Sequence, residues 1–252
     1  MHADIIFAAV NSRKCQHHMM IAVHCFLLLK PLKMYKILKR IIDLFIASVA
    51  LIVCLPVFIP VIIILLLTGE HEVFYLQKRI GYKKRPFHIW KFATMIKNSP
   101  NIGTGEITLR NDPRVTRVGK FLRMSKLNEL PQIINVFAGN MSIVGPRPLM
   151  EISFKLYPPE VQDVIYESLP GITGIGSLLF RDEEKILSES DDPRATYAAI
   201  YPYKAALEMW YRKHASVYTD IMIIFLTAWT ILFPLNGLIR KVFPDLPRRQ
   251  GF

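Results

Sequence analysis

Cysteine is scarce in this chain, and carboxylates are outnumbered. The three cysteines (Cys15, Cys25, Cys54) are odd in number and lack metal-ligand spacing, and Cys54 lies inside an apolar run. A disulfide framework is therefore excluded, and the pattern fits reduced thiols of a cytosol-facing protein. The seven histidines form no pair at i, i+4, so no zinc site is expected on a helix. The glycine-rich turn Pro170-Gly171-Ile172-Thr173-Gly174-Ile175-Gly176 is not GxGxxG and has no βαβ pattern around it, which rejects a dinucleotide fingerprint. Internal repeats and low-complexity tracts are absent. Asp and Glu number 20 against 32 Lys and Arg, giving a net charge of +12, yet 52% of the residues are hydrophobic. A basic nucleic-acid-binding domain would be less apolar, and no DNA- or RNA-reading motif is present, so no nucleic-acid partner is expected. A basic protein on an anionic membrane surface, or one that handles polyphosphates, combines both properties.

What is present begins with a long apolar run. Residues 1–33 include a short apolar stretch, Ile21 to Leu29, with no small-residue cleavage site after it, which argues against a secretory signal. Met34 opens a basic amphipathic stretch, and the natural start is expected there, with residues 1–33 as an uncertain extension. From Ile41 to Leu67 the chain is apolar except for Asp43, Ser48, Pro56 and Pro60. As a straight helix this run extends roughly 40 Å, more than the ~30 Å hydrocarbon core of a bilayer. The plain reading is a single span. Both flanks are basic, however, with Lys33, Lys36, Lys39 and Arg40 before and Lys78, Arg79, Lys83, Lys84 and Arg85 after. A span would carry one cluster across, against the positive-inside tendency. Pro56 cannot donate to the carbonyl of Ile52 and crowds it, which predicts a kink. A re-entrant helix over residues 34–70, both ends cytosolic, satisfies both facts. Asp43 shares a helix face with Lys39 and Arg40 and is expected to be neutralised there, or else to be a solvated first-turn charge.

Beyond the run, Glu72 to Phe92 alternates around Gly81-Tyr82-Lys83-Lys84-Arg85-Pro86 and predicts a hairpin. Val118 to Met124 is expected to be helical, and Ser99 to Gly105 and Ser188 to Pro193 to be loops. A helix capped by Asn128 would place Pro131 third, where its missing N–H costs nothing. That puts Asn128 and Glu129 at a positive helix pole, a natural anion site, although the two could simply be a cap and a first-turn dipole partner. Gly145-Pro146-Arg147-Pro148 holds Arg147 extended, because a residue before proline avoids the α region. Arg suits phosphate oxygens through its planar, always-charged fork. Ala205 to Tyr211 reads as helix, and Ile221 to Phe233, cut off by Pro234, as a short interfacial or partly buried helix.

These segments together resemble the bacterial sugar transferases, the monotopic phosphoglycosyl transferases. The resemblance runs from about Lys39 to Gly174 and more loosely to the end. It rests on Lys39-Arg40-x-x-Asp43, the mid-helix Pro56, Gln77-x-Arg79-x-Gly81, Lys91-Phe92-x-Thr94-Met95, Asp112-Pro113-Arg114-Val115-Thr116, Glu129-Leu130-Pro131-Gln132, Met141-Ser142-x-Val144-Gly145-Pro146-Arg147-Pro148 and Pro170-Gly171-Ile172-Thr173-Gly174. It implies a mainly helical α+β protein with a re-entrant membrane helix (34–70), a cytosolic membrane-associated catalytic domain (71–252) and interfacial amphipathic helices. It places the protein on the cytoplasmic face of a bacterial inner membrane, among its lipids, with homo-oligomerisation left open. The implied activity moves a sugar-1-phosphate from a UDP-sugar to polyprenyl (undecaprenyl) phosphate, releasing UMP and initiating a surface polysaccharide or glycoconjugate.

Residue by residue, the family's phosphosugar-carrying aspartate falls at Asn128 and its Mg²⁺-engaging glutamate at Glu129. Its phosphate-facing arginines fall at Arg123 and Arg147, and Arg114 is expected to join them. The chain departs from the family at Asn128, at Ala93 and in the segment after Gly174. An amide is a very poor nucleophile toward phosphorus. Glu129, Asp182 or Asp112 could replace it, polyprenyl phosphate could attack directly, or the chain could be a catalytically impaired membrane-bound partner in glycan assembly. Sugar choice is expected to lie in 175–215.

Overall fold

The computed structural model of the protein describes residues 2–102, 108, 112–233 and 237–248, and for residues 2–33, 100, 184, 231 and 232 the backbone alone. It divides into two compact units, residues 1–42 and 43–252. The first is part of a single helix, α1 (His2–Leu67). The extension expected at residues 1–33 lies outside the residues whose side chains are described.

The stretch Met34–Leu67 is long and apolar enough to cross a membrane by length and composition. The helical backbone continues through Pro56 and Pro60. Within the second unit, α1 presents one stripe to the rest of the fold. Asp43, Ala47, Val61 and Leu65 are buried, at spacings that keep them on one side of a 3.6-residue helix. Asp43 is 3% exposed, and its carboxylate accepts from the Ile143 N–H at 2.9 Å, so it is not a solvated charge. Ala47 joins the main core, while Val61 and Leu65 pack with Phe92 and Leu122 in a second, smaller one. Most of the other side chains are apolar and exposed, Ile52, Val53, Ile59 and Leu67 among them.

The expected hairpin forms between β1 (Phe74–Ile80) and β2 (Pro86–Phe92), paired antiparallel from Phe74↔Phe92 to Ile80↔Pro86. Its turn closes with the Gly81 N–H on the Arg85 carbonyl at 2.9 Å, and Lys83 and Lys84 adopt left-handed φ values. Helix α2 (Arg117–Met124) starts where Thr116 accepts from the Gly119 N–H at 2.9 Å, an ordinary N-cap. A short α3 (Ile133–Phe137) follows a 3₁₀ turn at Leu127–Gln132. Asn135 of α3 completes the edge of β2, accepting from the Trp90 N–H at 2.9 Å and donating to the His88 carbonyl at 2.7 Å.

Strands β3 (Ser142–Val144) and β4 (Gly171–Thr173) form a parallel pair. The backbones after them touch, and glycine is what permits this. A Cβ on Gly171 would stand 2.1 Å from the Gly145 nitrogen, and one on Gly174 would stand 2.3 Å from the Gly145 oxygen. Between the two strands lie α4 (Glu151–Phe154) and α5 (Pro159–Val164); after β4 come α6 (Ile175–Leu179) and α7 (Glu183–Ser188).

Helix α8 (Pro193–His214) is much longer than the helix expected at Ala205 to Tyr211. Asp192 caps it, accepting from the Arg194 and Ala195 N–H groups at 3.0 Å, with Pro193 in the first turn. Its interior proline, Pro202, hid this continuity from the sequence. Helix α9 (Val217–Leu232) buries Ile223 and Leu226 completely and exposes Tyr218, Ile221 and Phe225, and α10 (Leu238–Val242) closes the core through Ile239.

Candidate active site

Alternation along the hairpin puts Tyr75, Gln77 and Arg79 on the same face as Lys91, which pairs with Tyr75. That face lines a cavity of about 860 Å³, whose wall also includes Arg123, Asn128, Glu129 and Arg147. Glu129 thus shares this wall with several basic side chains, and Lys91, Arg147, Lys126 and Arg79 act on its carboxylate. Arg79 is 9% exposed; its guanidinium donates to Gln77 Oε1 at 2.6 and 3.2 Å and to the Pro148 carbonyl at 3.3 Å. Burial and the neighbouring Arg147 lower its pKa to about 10 against the opposing pull of Tyr197 and Glu129.

Lys91 Nζ stands 3.8 Å from Glu129 Oε1. Burial brings the lysine down to about 7; Glu129 resists this, while Arg79, Arg147 and Arg123 add to it. For Glu129 burial alone would raise the pKa, but Lys91, Arg147, Lys126 and Arg79 together hold it at about 2. The carboxylate is therefore ionised at any physiological pH, held so by the basic side chains around it.

Arg147 lies between the two strand ends, where the backbone leaves β3. Tyr166 fixes that backbone. Its hydroxyl accepts from the Leu149 N–H at 2.9 Å and donates to the Arg147 carbonyl at 2.7 Å, and the ring is 1% exposed. Burial would lower the Arg147 pKa, but Glu129, Glu183, Tyr197 and Tyr201 raise it above the ordinary arginine value. The expectation of a rigidly held arginine is met by proline on both sides and by a tyrosine that no local pattern announced.

Two expectations are corrected. Asn128 does not cap a helix. The chain reverses at Lys126, which takes left-handed φ 59°, and the Glu129 N–H bonds the Lys126 carbonyl at 3.2 Å to start the 3₁₀ turn. Backbone thus occupies the place a side-chain cap would take. Asn128 is instead the second residue of the turn, 7% exposed, and its Oδ1 is a buried oxygen with no hydrogen-bond partner. The positive charge near Glu129 comes from side chains rather than from a helix pole. Arg114 is the second correction. It is 3% exposed, bonds both oxygens of Asp112 at 2.8 and 2.5 Å, and donates to the Ser99 and Ile102 carbonyls at 2.9 and 2.8 Å. It organises a loop and does not line the cavity. The same pairing removes Asp112 as a nucleophile, and Asp182 does not line the cavity either. Lys39, Arg40 and Pro56 belong to α1, and Ala93 lies in the cavity wall.

Sequence reasoning missed part of the wall. Phe180, Glu183, Tyr197, Tyr201, Lys204 and Glu208 also line the cavity. Lys204 Nζ bonds Glu183 Oε1 at 2.5 Å and lies 5.0 Å from the ring centroids of Phe180 and Tyr201. Burial raises Glu208 to about 7, against the lowering effects of the Arg147 backbone N–H, Lys204 and the Arg147 guanidinium.

Residues 34–234 match the profile of a family described as bacterial sugar transferase. The chain belongs to the bacterial sugar transferase family. It is 32% identical over 206 residues to the UDP-N-acetylgalactosamine-undecaprenyl-phosphate N-acetylgalactosaminephosphotransferase of Aeromonas hydrophila, across 81% of this chain and 46% of that protein. It is 32% identical over 204 residues to the exopolysaccharide production protein ExoY of Rhizobium meliloti, across 75% and 83%. It is 34% identical over 197 residues to the UDP-glucose:undecaprenyl-phosphate glucose-1-phosphate transferase of Escherichia coli, across 77% and 40%. The chain therefore spans less than half the length of the Aeromonas hydrophila and Escherichia coli relatives and most of the Rhizobium meliloti one.

Proposed function

We propose that this sugar transferase moves a sugar-1-phosphate from a UDP-sugar to polyprenyl phosphate, releasing UMP and starting a surface glycan. The observation that carries the reading is the convergence of Arg79, Lys91, Arg147 and Lys126 on Glu129, with Arg123 in the wall of the same cavity. Such an array favours a diphosphate and the charge that builds up as phosphoryl oxygen bonds change. It has no use in a scaffold.

With Asn128 in place of an aspartate, the route best supported is direct. An oxygen of polyprenyl phosphate attacks the phosphorus that carries the sugar, the bond from that phosphorus to the UMP oxygen breaks, and UMP leaves with the electron pair. No proton transfer is needed, because the attacking phosphate is already an anion. Arg79, Arg123 and Arg147 hold the donor phosphates in line and offset the accumulating charge. Glu129 is a weak base at its depressed pKa, which suits it to orienting cations better than to attacking phosphorus.

The family resemblance also implies Mg²⁺. Glu129 and Asn128, with its partnerless buried Oδ1, would hold it together with donor phosphates and water, which matches the few protein carboxylates Mg²⁺ commonly takes. When bound, the ion would supply positive charge at the diphosphate. Among the described residues no three His, Cys, Asp or Glu cluster for a metal, so most of its oxygens would come from substrate and water.

The same proposal places residues 34–70 as a re-entrant helix and the site at the cytoplasmic face of the inner membrane. In its support, a single unit contacts α1 from Asp43 to Leu65. Were α1 a plain span, the charged hairpin and α2 would be carried into hydrocarbon, which costs several kcal/mol per unsatisfied polar group. The deciding measurement is UMP release by purified protein with Mg²⁺, polyprenyl phosphate and a panel of UDP-sugars. Release is expected with at least one donor; none, where a related transferase works, would leave only a catalytically impaired partner. Without acceptor, mass spectrometry should find no phosphosugar adduct on the wild-type chain, and Asn128→Asp should not be required for turnover. An adduct on Glu129 would overturn the direct route.

A further inference from the structure

The cavity has a second, chemically different region that the phosphate grip does not use. Its floor is α6 and its wall is α8. Gly176 lets the two meet closely, since a Cβ there would stand 2.6 Å from Glu208 Oε1. Glu208 is 4% exposed, yet its Oε2 has no hydrogen-bond partner, and neither has the Oγ of Ser177, the residue that follows Gly176 in α6. Both residues line the cavity. Buried oxygens without partners are uncommon in folded proteins and need a reason. Beside them stands the Lys204–Glu183 pair, set against the Phe180, Tyr197 and Tyr201 rings.

We infer that this region is the subsite for the sugar ring of the donor and that Ser177 and Glu208 determine which sugar is accepted. This deepens the transfer reading and rests on it. The chemistry fits a neutral hexose. A hydroxyl group both donates and accepts, so it can satisfy a carboxylate, a serine hydroxyl and an ammonium at once. The apolar face of a pyranose suits an aromatic wall. Arg147 ties the subsite to the phosphates, for Glu129 and Glu183 both act on its guanidinium. The Glu208 carboxylate also meets the Arg147 backbone N–H. A sugar phosphate gripped by Arg147 therefore has its ring within reach of α6 and α8.

The test compares wild type with Ser177→Ala and Glu208→Gln, using UDP-glucose, UDP-galactose and UDP-N-acetylgalactosamine. Ser177→Ala removes a hydroxyl with no protein partner, and Glu208→Gln keeps the side-chain shape, so both variants should fold. At least one variant should change the ratio of kcat/KM between two donors by about fivefold or more, the scale of one lost hydrogen bond. The inhibition constant of UMP, which lacks the sugar, should stay within about twofold. The inference is overturned if wild type turns over but both variants slow all donors equally, or if they raise KM for polyprenyl phosphate instead. Absence of turnover by wild type with every donor would instead sink the transfer reading itself.

Discussion

Arg147 shows how much of a site depends on residues remote in sequence. Its proline-flanked setting was legible in the sequence, but its placement relies on the Tyr166 hydroxyl, 19 residues away. Tyr166→Phe leaves the Leu149 N–H buried without its partner, so a loss of about 1–3 kcal/mol is expected in thermal or denaturant unfolding. Turnover in the UMP-release assay should fall along with it, and an unchanged melting curve and rate would show that the hydroxyl pins nothing. Arg79 and Lys91 stood in recognisable motifs, yet their role needed the hairpin register, which places Lys91 beside Tyr75 and on the Arg79 face. Glu208 and Lys204 gave no signal at all, because a charged residue on an amphipathic helix reads as solvated until the helix is packed. Arg114 misled for the opposite reason: a basic residue in a motif looked functional, while its partner Asp112 sat two residues before it. Asn128 misled because lysine rarely adopts the left-handed conformation that Lys126 takes, and that one φ angle moves the start of the turn.

Among the elements, the hairpin and α2 were legible from alternation, turn residues and the Thr116 cap, which are all local properties. The parallel pairing of β3 with β4 was not, since each strand has three residues and the partner lies more than twenty positions on. What makes the pairing possible is the close approach at Gly145, Gly171 and Gly174. Gly171→Ala would drive a methyl into the Gly145 backbone, which cannot give way as a flexible side chain would. Overpacking in a tight core costs typically about 1–3 kcal/mol, occasionally more, and here the strand that leads to Arg147 absorbs it. The expected outcome is a lower melting temperature together with weaker UMP inhibition. A variant that melts and binds UMP like wild type would show that the two loops can separate freely. Helix α8 extends well beyond the expected Ala205 to Tyr211, because Asp192 and Pro193 supply a strong start that carries the helix through Pro202.

For the molecule as a whole, charge and hydropathy pointed to a membrane early, and they also set the sharpest topological test. In a chain with Cys15, Cys25 and Cys54 replaced by serine, Lys36→Cys and Lys83→Cys should both react with an impermeant maleimide from the cytosolic side of oriented vesicles. Labelling from opposite sides would restore a plain span. The Asp43 bond to Ile143 has a consequence of another kind. Ile143 is the middle residue of β3, and β3 runs directly into Gly145 and Arg147. The helix that is long and apolar enough to cross a membrane is thus also packed into the fold. Cutting it away after Leu67 to obtain a soluble fragment would uncover Phe92 and Leu122 and strip the β3 backbone of an ionic brace, so the fragment should lose cooperative melting. One carboxylate thus ties the apolar helix to the strand from which the chain runs into Arg147.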